Sequence, residues 1–266
     1  MRFGIATLAV GLSLQAHADP AVQREHRRVA PLQLATGQLV TPTAPRGAVQ
    51  QALNPRLPAY PDFVAGEAVR SQLSPDGTTL AILCAGQNSL DKPDGTVDTA
   101  NSTQFIFLYD VSGRHKEAPL LTQVIQQKNA HVGLVFSPDG QLYATGGRDD
   151  VVYAYAKAGN SWTLTRTIDL GHAGKGVGIG VAPNASGLGI SADGRTLVVA
   201  NNYNDSISVI DTASGTVRFE HDLRPYFANN EGASGGVGGT FPFGVVVAGN
   251  GTAYVSSDRN REVVAI

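Results

Sequence analysis

Four short polar tetrads recur along the chain and constrain its fold more than any other feature. They are Ser74-Pro75-Asp76-Gly77, Ser137-Pro138-Asp139-Gly140, Ser191-Ala192-Asp193-Gly194 and the looser Ala248-Gly249-Asn250-Gly251. Their spacing of 54 to 63 residues is that of a repeat architecture. Each tetrad ends in Asp-Gly or Asn-Gly, the pair that supplies the positive φ angles of a tight strand reversal. β-prone runs follow at 79–85, 141–145, 196–200 and 252–256, and third runs at 105–111, 151–156, 206–211 and 262–266. Three units add a fourth run, at 120–126, 164–170 and 216–223.

Four antiparallel strands per repeat, set around an axis, make the blade of a β-propeller. A sandwich or jelly roll would not place the same tetrad at the same strand junction, so the expected fold class is all-β, a propeller with about four blades present. The composition agrees, since 31 Gly, 14 Pro and only 16% charged residues favour short strands and many turns over long helices. The fourth unit reaches Ile266 on its third strand, which predicts an incomplete ring. Upstream, the Pro- and Gln-rich stretch holds one β-prone segment, 37–43, readable as an outer strand on a closing blade or as an extended arm.

The N-terminus predicts export. Arg2 precedes an apolar run over residues 3–14 and then Ala16-His17-Ala18, the basic start, apolar middle and A-x-A site of a cleavable signal peptide. The run is shorter than the roughly 20 residues needed to span a bilayer. The expected organisation is therefore a signal peptide at 1–18 removed after Ala18, an arm at 19–62 and blades at 63–266, in a periplasmic or secreted protein without a membrane span.

A net charge of −2 offers no basic field for nucleic acid. The lone Cys84 excludes an intrachain disulfide and, inside an apolar run, reads as a small hydrophobe rather than a nucleophile.

The stretch Leu197-Val198-Val199-Ala200-Asn201-Asn202, continued by Ser206-Ile207-Ser208-Val209-Ile210-Asp211, resembles the YVTN repeat of bacterial propellers. Pro61-Asp62-Phe63-Val64-Ala65-Gly66, the segment 146–151, Leu223-Arg224-Pro225 and the segment 253–257 resemble the YncE-like propeller of exported two-domain proteins. In that group a seven-bladed ring precedes an alkaline-phosphatase-like phosphoesterase domain. The resemblance implies a truncated seven-bladed propeller, and it implies no metal site here, because no segment corresponds to the phosphoesterase.

Strand parity sorts the loops. The tetrads and the Ser112-Gly113 and Ser214-Gly215 turns belong to one face, and the long segments 87–104, 171–186 and 224–241 to the other. Long loops on a rigid scaffold commonly carry binding. On that face the candidate binding residues are Arg148, Asp149 and Asp150, then Asn202, Asn204 and Asp205, then Asp258 and Arg259, with His131, His172, Lys175 and Arg224 on the connectors. Asn and Asp are equally the residues that turns require, so rim chemistry and turn chemistry stay open. Gly171-His172-Ala173-Gly174-Lys175-Gly176 lacks phosphate-loop spacing. Gly232-Ala233-Ser234-Gly235-Gly236 fits G-x-S-x-G without the strand and helix that a nucleophile elbow needs. Asp91, Asp94 and Asp98 are out of EF-hand register.

No catalytic constellation, metal site or cofactor is therefore expected. The expected function is an exported binding or scaffold module that holds a protein, glycan or small molecule on the long-loop face. The alternative is a hydrolase, either the propeller part of a phosphoesterase or a lactonase-like propeller with acids and His at the channel mouth.

Overall fold

The computed structural model describes residues 32–33, 35–40, 51–172, 183–223 and 241–266. The leader at 1–18 and residues 41–43 of the 37–43 segment lie outside them. The chain divides into two units, Met1–Gln51 and Ala52–Ile266. In the first, β1 (Leu32–Gln33) and β2 (Leu39–Val40) form a small antiparallel hairpin around Gly37, whose φ is +81°.

The second unit is the β-propeller. Blade I is β3 (Ala68–Leu73), β4 (Thr79–Cys84), β5 (Gln104–Asp110) and β6 (Leu120–Gln127). Blade II is β7 (Leu134–Phe136), β8 (Leu142–Thr145), β9 (Val151–Ala158) and β10 (Ser161–Asp169). Blade III is β11 (Ala185–Ile190), β12 (Thr196–Asn201), β13 (Ser206–Asp211) and β14 (Thr216–Asp222). Blade IV has three strands among the described residues, β15 (Pro242–Val247), β16 (Ala253–Ser257) and β17 (Glu262–Ala265). Each blade is an antiparallel meander, and β3, β7, β11 and β15 lie side by side as the inner strands. No described helix is long and apolar enough to cross a membrane.

The tetrads are the reversals expected, with a different internal geometry. Only the glycine takes a positive φ, +69° at Gly77, +86° at Gly140, +73° at Gly194 and +88° at Gly251, so the turn is not the two-residue form in which both residues are left-handed. The serine does the rest. Ser74 Oγ donates to Asp76 and accepts from the Thr79 N–H at 2.9 Å, and Ser191 repeats this with Asp193 and Thr196. These hydroxyl bonds hold the Asp76, Asp139 and Asp193 carboxyls below their ordinary range. The loops differ by one residue. Ser74 and Ser191 close onto Thr79 and Thr196, five residues on, whereas Ser137 and Ala248 close onto Gln141 and Thr252, four on.

The alternation of each second strand then decides what packs where, because successive side chains point to opposite faces. Leu197 and Val199 meet blade II alongside Tyr143, Val152 and Ile168. Their neighbours Val198 and Ala200 meet blade IV through Val245, Ala253 and Val255. Blade I presents Ala81 and Leu83 to Leu134, Leu142 and Trp162 of blade II. A strand buried on both faces must be apolar throughout, which is why β12 reads Leu-Val-Val-Ala. At about 1.5–3 kcal/mol for each large apolar side chain fully buried, these seams supply the main cohesion between blades.

The other face of blade I, with Leu80, Ile82, Cys84, Phe105 and Phe107, is covered by Leu53, Leu57, Phe63 and Ala65 from the preceding segment and by Leu90 from the long β4–β5 loop. Burial there pushes the Cys84 thiol up to about 11, which leaves it protonated and unreactive at neutral pH.

Candidate functional site

The meander sends the β8–β9, β12–β13 and β16–β17 turns, and the described ends of the connectors between blades, to one face. Each of these turns ends on a left-handed non-glycine residue, Asp150 (φ +58°), Asp205 (+52°) or Arg261 (+57°). Asp tolerates this conformation better than most residues, and in two turns its carboxylate captures the connector to the next blade. Asp150 accepts the His172 N–H at 2.8 Å, and Asp205 accepts the Phe241 N–H at 2.9 Å. Their own carbonyls accept from Leu170 and Leu223 at 3.0 and 2.9 Å.

Between blades II and III the clasp is ionic. His172 is buried, with Nδ1 2.7 Å from Asp150 Oδ1 and Nε2 3.0 Å from Glu220 Oε1 on β14. The first contact is a hydrogen bond; the second is an ion pair out of line for one. Burial alone would push the imidazole down, but the hydrogen bond to Asp150 and the carboxylates of Asp150 and Glu220 outweigh it and hold the pKa up at about 9. For Glu220, burial works to raise the pKa, and the ion pair with His172 and the hydrogen bond from Ser206 leave it below the ordinary value. Glu220 Oε1 also accepts from Asn204 Nδ2 at 2.7 Å and from Ser206 Oγ at 2.5 Å.

Between blades III and IV the clasp is aromatic. Phe241 has a φ of +53°, a conformation that costs a bulky residue about 1–2 kcal/mol. Its N–H is held by Asp205, its carbonyl accepts from Asp258 N–H at 3.0 Å, and its ring lies edge-on to Tyr203 at 5.8 Å. The Arg259 guanidinium sits over the same ring, 3.9 Å from its centre.

Where the inner strands begin, the blades touch through backbone. A Cβ on Gly133 would fall 2.3 Å from the Ser186 carbonyl oxygen, and one on Gly187 would fall 2.2 Å from that of Phe243. Only glycine permits this approach. It brings His131 Nδ1 to 3.0 Å from Ser186 Oγ and sets the His131 ring edge-on to Phe243 at 5.5 Å. Burial lowers the His131 pKa, so the ring is neutral at physiological pH. Phe243 is 41% exposed although it begins an inner strand, and Tyr203 is 45% exposed.

Most of the residues singled out from the sequence converge on these junctions. Asp149 accepts from Lys128 Nζ at 3.1 Å and Asn129 Nδ2 at 2.8 Å, and Asn202 is buried with Nδ2 on the Pro242 carbonyl at 3.0 Å. Asp150, His172, Asn204 and Asp205 belong to the clasps. Arg148 and Asp258 are exposed at turn tips. Lys175, Arg224 and the G-x-S-x-G segment lie outside the described residues. Of the loop acids, Asp94 caps its own turn on Thr96, and Asp98 accepts from the Tyr60 hydroxyl at 2.9 Å. No described cluster of three or more His, Cys, Asp or Glu suits a metal ion. Sequence reasoning missed Ser186, Glu220, Phe241 and Phe243. A signal for two of them exists in the repeated Val132-Gly133-Leu134, Ser186-Gly187-Leu188 and Phe243-Gly244-Val245 at the starts of inner strands.

The fold is that of a β-propeller that carries polar and aromatic residues at its blade junctions on the face of these turns. No known family profile and no curated protein sequence matches the chain. Among solved structures it is similar to the periplasmic gluconolactonase of Pseudomonas aeruginosa, with a TM-score of 0.54 and 22% identity over 87% of this chain and 56% of that one. A putative 6-phosphogluconolactonase from Bacteroides uniformis gives 0.52 and 15% over 87% and 58%. A functionally unknown protein from Desulfotomaculum acetoxidans gives 0.50 and 15% over 88% and 60%. The chain thus spans somewhat over half the length of each, and at these identities the likeness carries the fold.

Proposed function

We propose that the chain is an exported binding propeller that takes a small polar ring compound, of the sugar or sugar-lactone class, at the channel mouth on its long-loop face. The observation that carries this is the half-exposed Phe243 beside a neutral, partly buried His131. An exposed aromatic face beside an imidazole suits a ring with hydroxyl groups. The nearby acids Asp149, Asp150, Asp205 and Glu220 are committed to protein partners, which favours holding a ligand over acid–base chemistry. Titration calorimetry with D-glucono-1,5-lactone and gluconate tests it. Binding weakened about tenfold by Phe243→Ala supports the reading, and no heat from either compound or from a panel of neutral sugars removes it.

A lactonase activity is the second reading. It is favoured by the names of two structural neighbours and by His131, whose neutral ring is competent as a general base. In that reaction water attacks the lactone carbonyl, the ring C–O bond breaks, and the proton taken by the imidazole passes to the leaving oxygen. Lactone consumption that disappears in His131→Ala while ligand binding persists would establish it.

A further inference from the structure

The inner strands of blades II, III and IV open on Val132-Gly133-Leu134, Ser186-Gly187-Leu188 and Phe243-Gly244-Val245. Ahead of the glycine stand an aliphatic residue, a hydroxyl and an aromatic, so the blade itself does not require serine there. Ser186 is nevertheless fully buried, where a hydroxyl is costly unless it is hydrogen-bonded. Its Oγ meets the Phe243 carbonyl at 3.2 Å and His131 Nδ1 at 3.0 Å. The backbone around it is fixed from β8, where Thr145 Oγ1 donates to the Ser186 carbonyl at 2.9 Å and accepts from the Gly133 N–H at 3.1 Å.

The single hydroxyl proton decides the roles. A carbonyl has no hydrogen to give, so the Phe243 contact takes the proton of Ser186. The contact with His131 is then a hydrogen bond only if Nδ1 carries a hydrogen and donates it. Burial lowers the His131 pKa and keeps the ring neutral, and a neutral imidazole holds one N–H, which leaves Nε2 as a bare acceptor. Nε2 has no hydrogen-bond partner among the described residues and is not sealed from solvent.

We propose that Ser186 is a positioning residue that fixes His131 as its Nδ1–H tautomer, so that Nε2 is open to the ligand as a hydrogen-bond acceptor and selects a ring bearing a hydroxyl group. A ligand hydroxyl has a hydrogen to offer Nε2, whereas a carbonyl or carboxylate has none. The choice of ligand rests on the sugar-class reading above; the tautomer rests on the geometry of Ser186 alone. The same bare Nε2 is what the lactonase reading requires of a base.

Two-bond proton–nitrogen NMR spectra of the full chain carrying isotope-labelled histidine, at about pH 8 where an ordinary imidazole is neutral, read the tautomer without any ligand. The His131 signal is identified by its loss in His131→Gln. The expected spectrum shows the hydrogen on Nδ1 in the wild type and on Nε2, the tautomer a free side chain favours, in Ser186→Ala. Calorimetry then compares 1,5-anhydro-D-glucitol, which neither reading of the site would hydrolyse, with tetrahydropyran, the same ring without hydroxyls. The wild type should bind the hydroxylated ring more tightly. Ser186→Ala should weaken that ring about tenfold, the worth of one hydrogen bond, and leave tetrahydropyran as it was, whereas a loss of packing alone would weaken both. A wild-type ring protonated on Nε2, or an unchanged tautomer in folded Ser186→Ala, overturns the role of Ser186 whether or not a sugar binds. Equal binding of the two rings by the wild type overturns the hydroxyl selection. An Nδ1–H ring in a chain that binds neither compound overturns that selection together with the sugar-class reading, while supporting the positioning of His131 by Ser186.

Discussion

At the junction of blades II and III, Asp150 holds the connector by its backbone and then meets a charged ring, His172, which faces a second carboxylate, Glu220. At the junction of blades III and IV, Asp205 holds the connector in the same way, but the residue it captures is Phe241, set between Tyr203 and Arg259. The turn device is repeated and the filling is not. One joint depends on ionisation and a dry environment; the other depends on ring contacts at the rim, where water screens little of the interaction. The two joints should therefore fail under different perturbations.

The largest difference should come from removing the centre of each clasp. His172→Ala leaves Asp150 and Glu220 facing each other without the cation, and breaking a buried ion pair in this way costs about 3–5 kcal/mol. For a chain of this size that lowers the melting temperature by roughly 10 °C, readable by scanning calorimetry. Next, Asp150→Asn should cost about 2 kcal/mol because it removes a charge from His172, whereas Asp205→Asn should cost about 0.5 kcal/mol because Asn still accepts the Phe241 N–H and tolerates positive φ. Equal costs in urea titrations would erase the distinction between the joints.

The pH profile sharpens the same contrast. The folded pKa of His172 is raised from 6.5 to about 9, so its contribution is fully present below pH 6.5 and is lost as pH rises through 9. The folded pKa of Glu220 is lowered from 4.5, so its contribution is present above pH 4.5 and is lost as pH falls through the lower folded value. Stability should thus be highest between about pH 4.5 and 6.5, and the alkaline decline should flatten in His172→Gln while remaining in Phe241→Leu. A similarly small effect belongs to Arg259→Ala, about 0.5–1 kcal/mol for an exposed cation–π contact, seen as a shift of one or two degrees with no change in pH dependence.

The blades were legible in the sequence because two signals coincide, a reversal tetrad and an alternating or continuous apolar run. Ser206–Asp211 is recovered to the residue, and β4, β8 and β16 to within one. What escaped depends on contacts between distant residues. Glu220 lies in the charged strand Thr216–Asp222, which reads as a solvated outer edge, and nothing local says that a histidine 48 positions earlier returns to it. Phe241 looks like an ordinary residue ahead of a strand, since its left-handed backbone is imposed by Asp205 and Asp258 from two other turns. The rim residues were found because Asn and Asp announce a turn, but that signal alone does not separate a turn that binds a ligand from one that binds the next blade.

The unequal reversals bear on how the gene can vary. Thr78 and Arg195 are the extra residues in the five-residue loops, each with its backbone N–H tied to the tetrad aspartate, Asp76 or Asp193, at 3.0 Å. The added length is absorbed before the strand starts, so Leu80, Leu142, Leu197 and Ala253 still occupy one register. A deletion of Thr78 or Arg195 is thus expected to be tolerated, because the strand behind it keeps its two faces. The same single-residue loss within Leu80–Leu83 would exchange those faces, turning the seam side of the blade outward. Within each tetrad reversal, length variation is therefore confined to one slot ahead of the second strand.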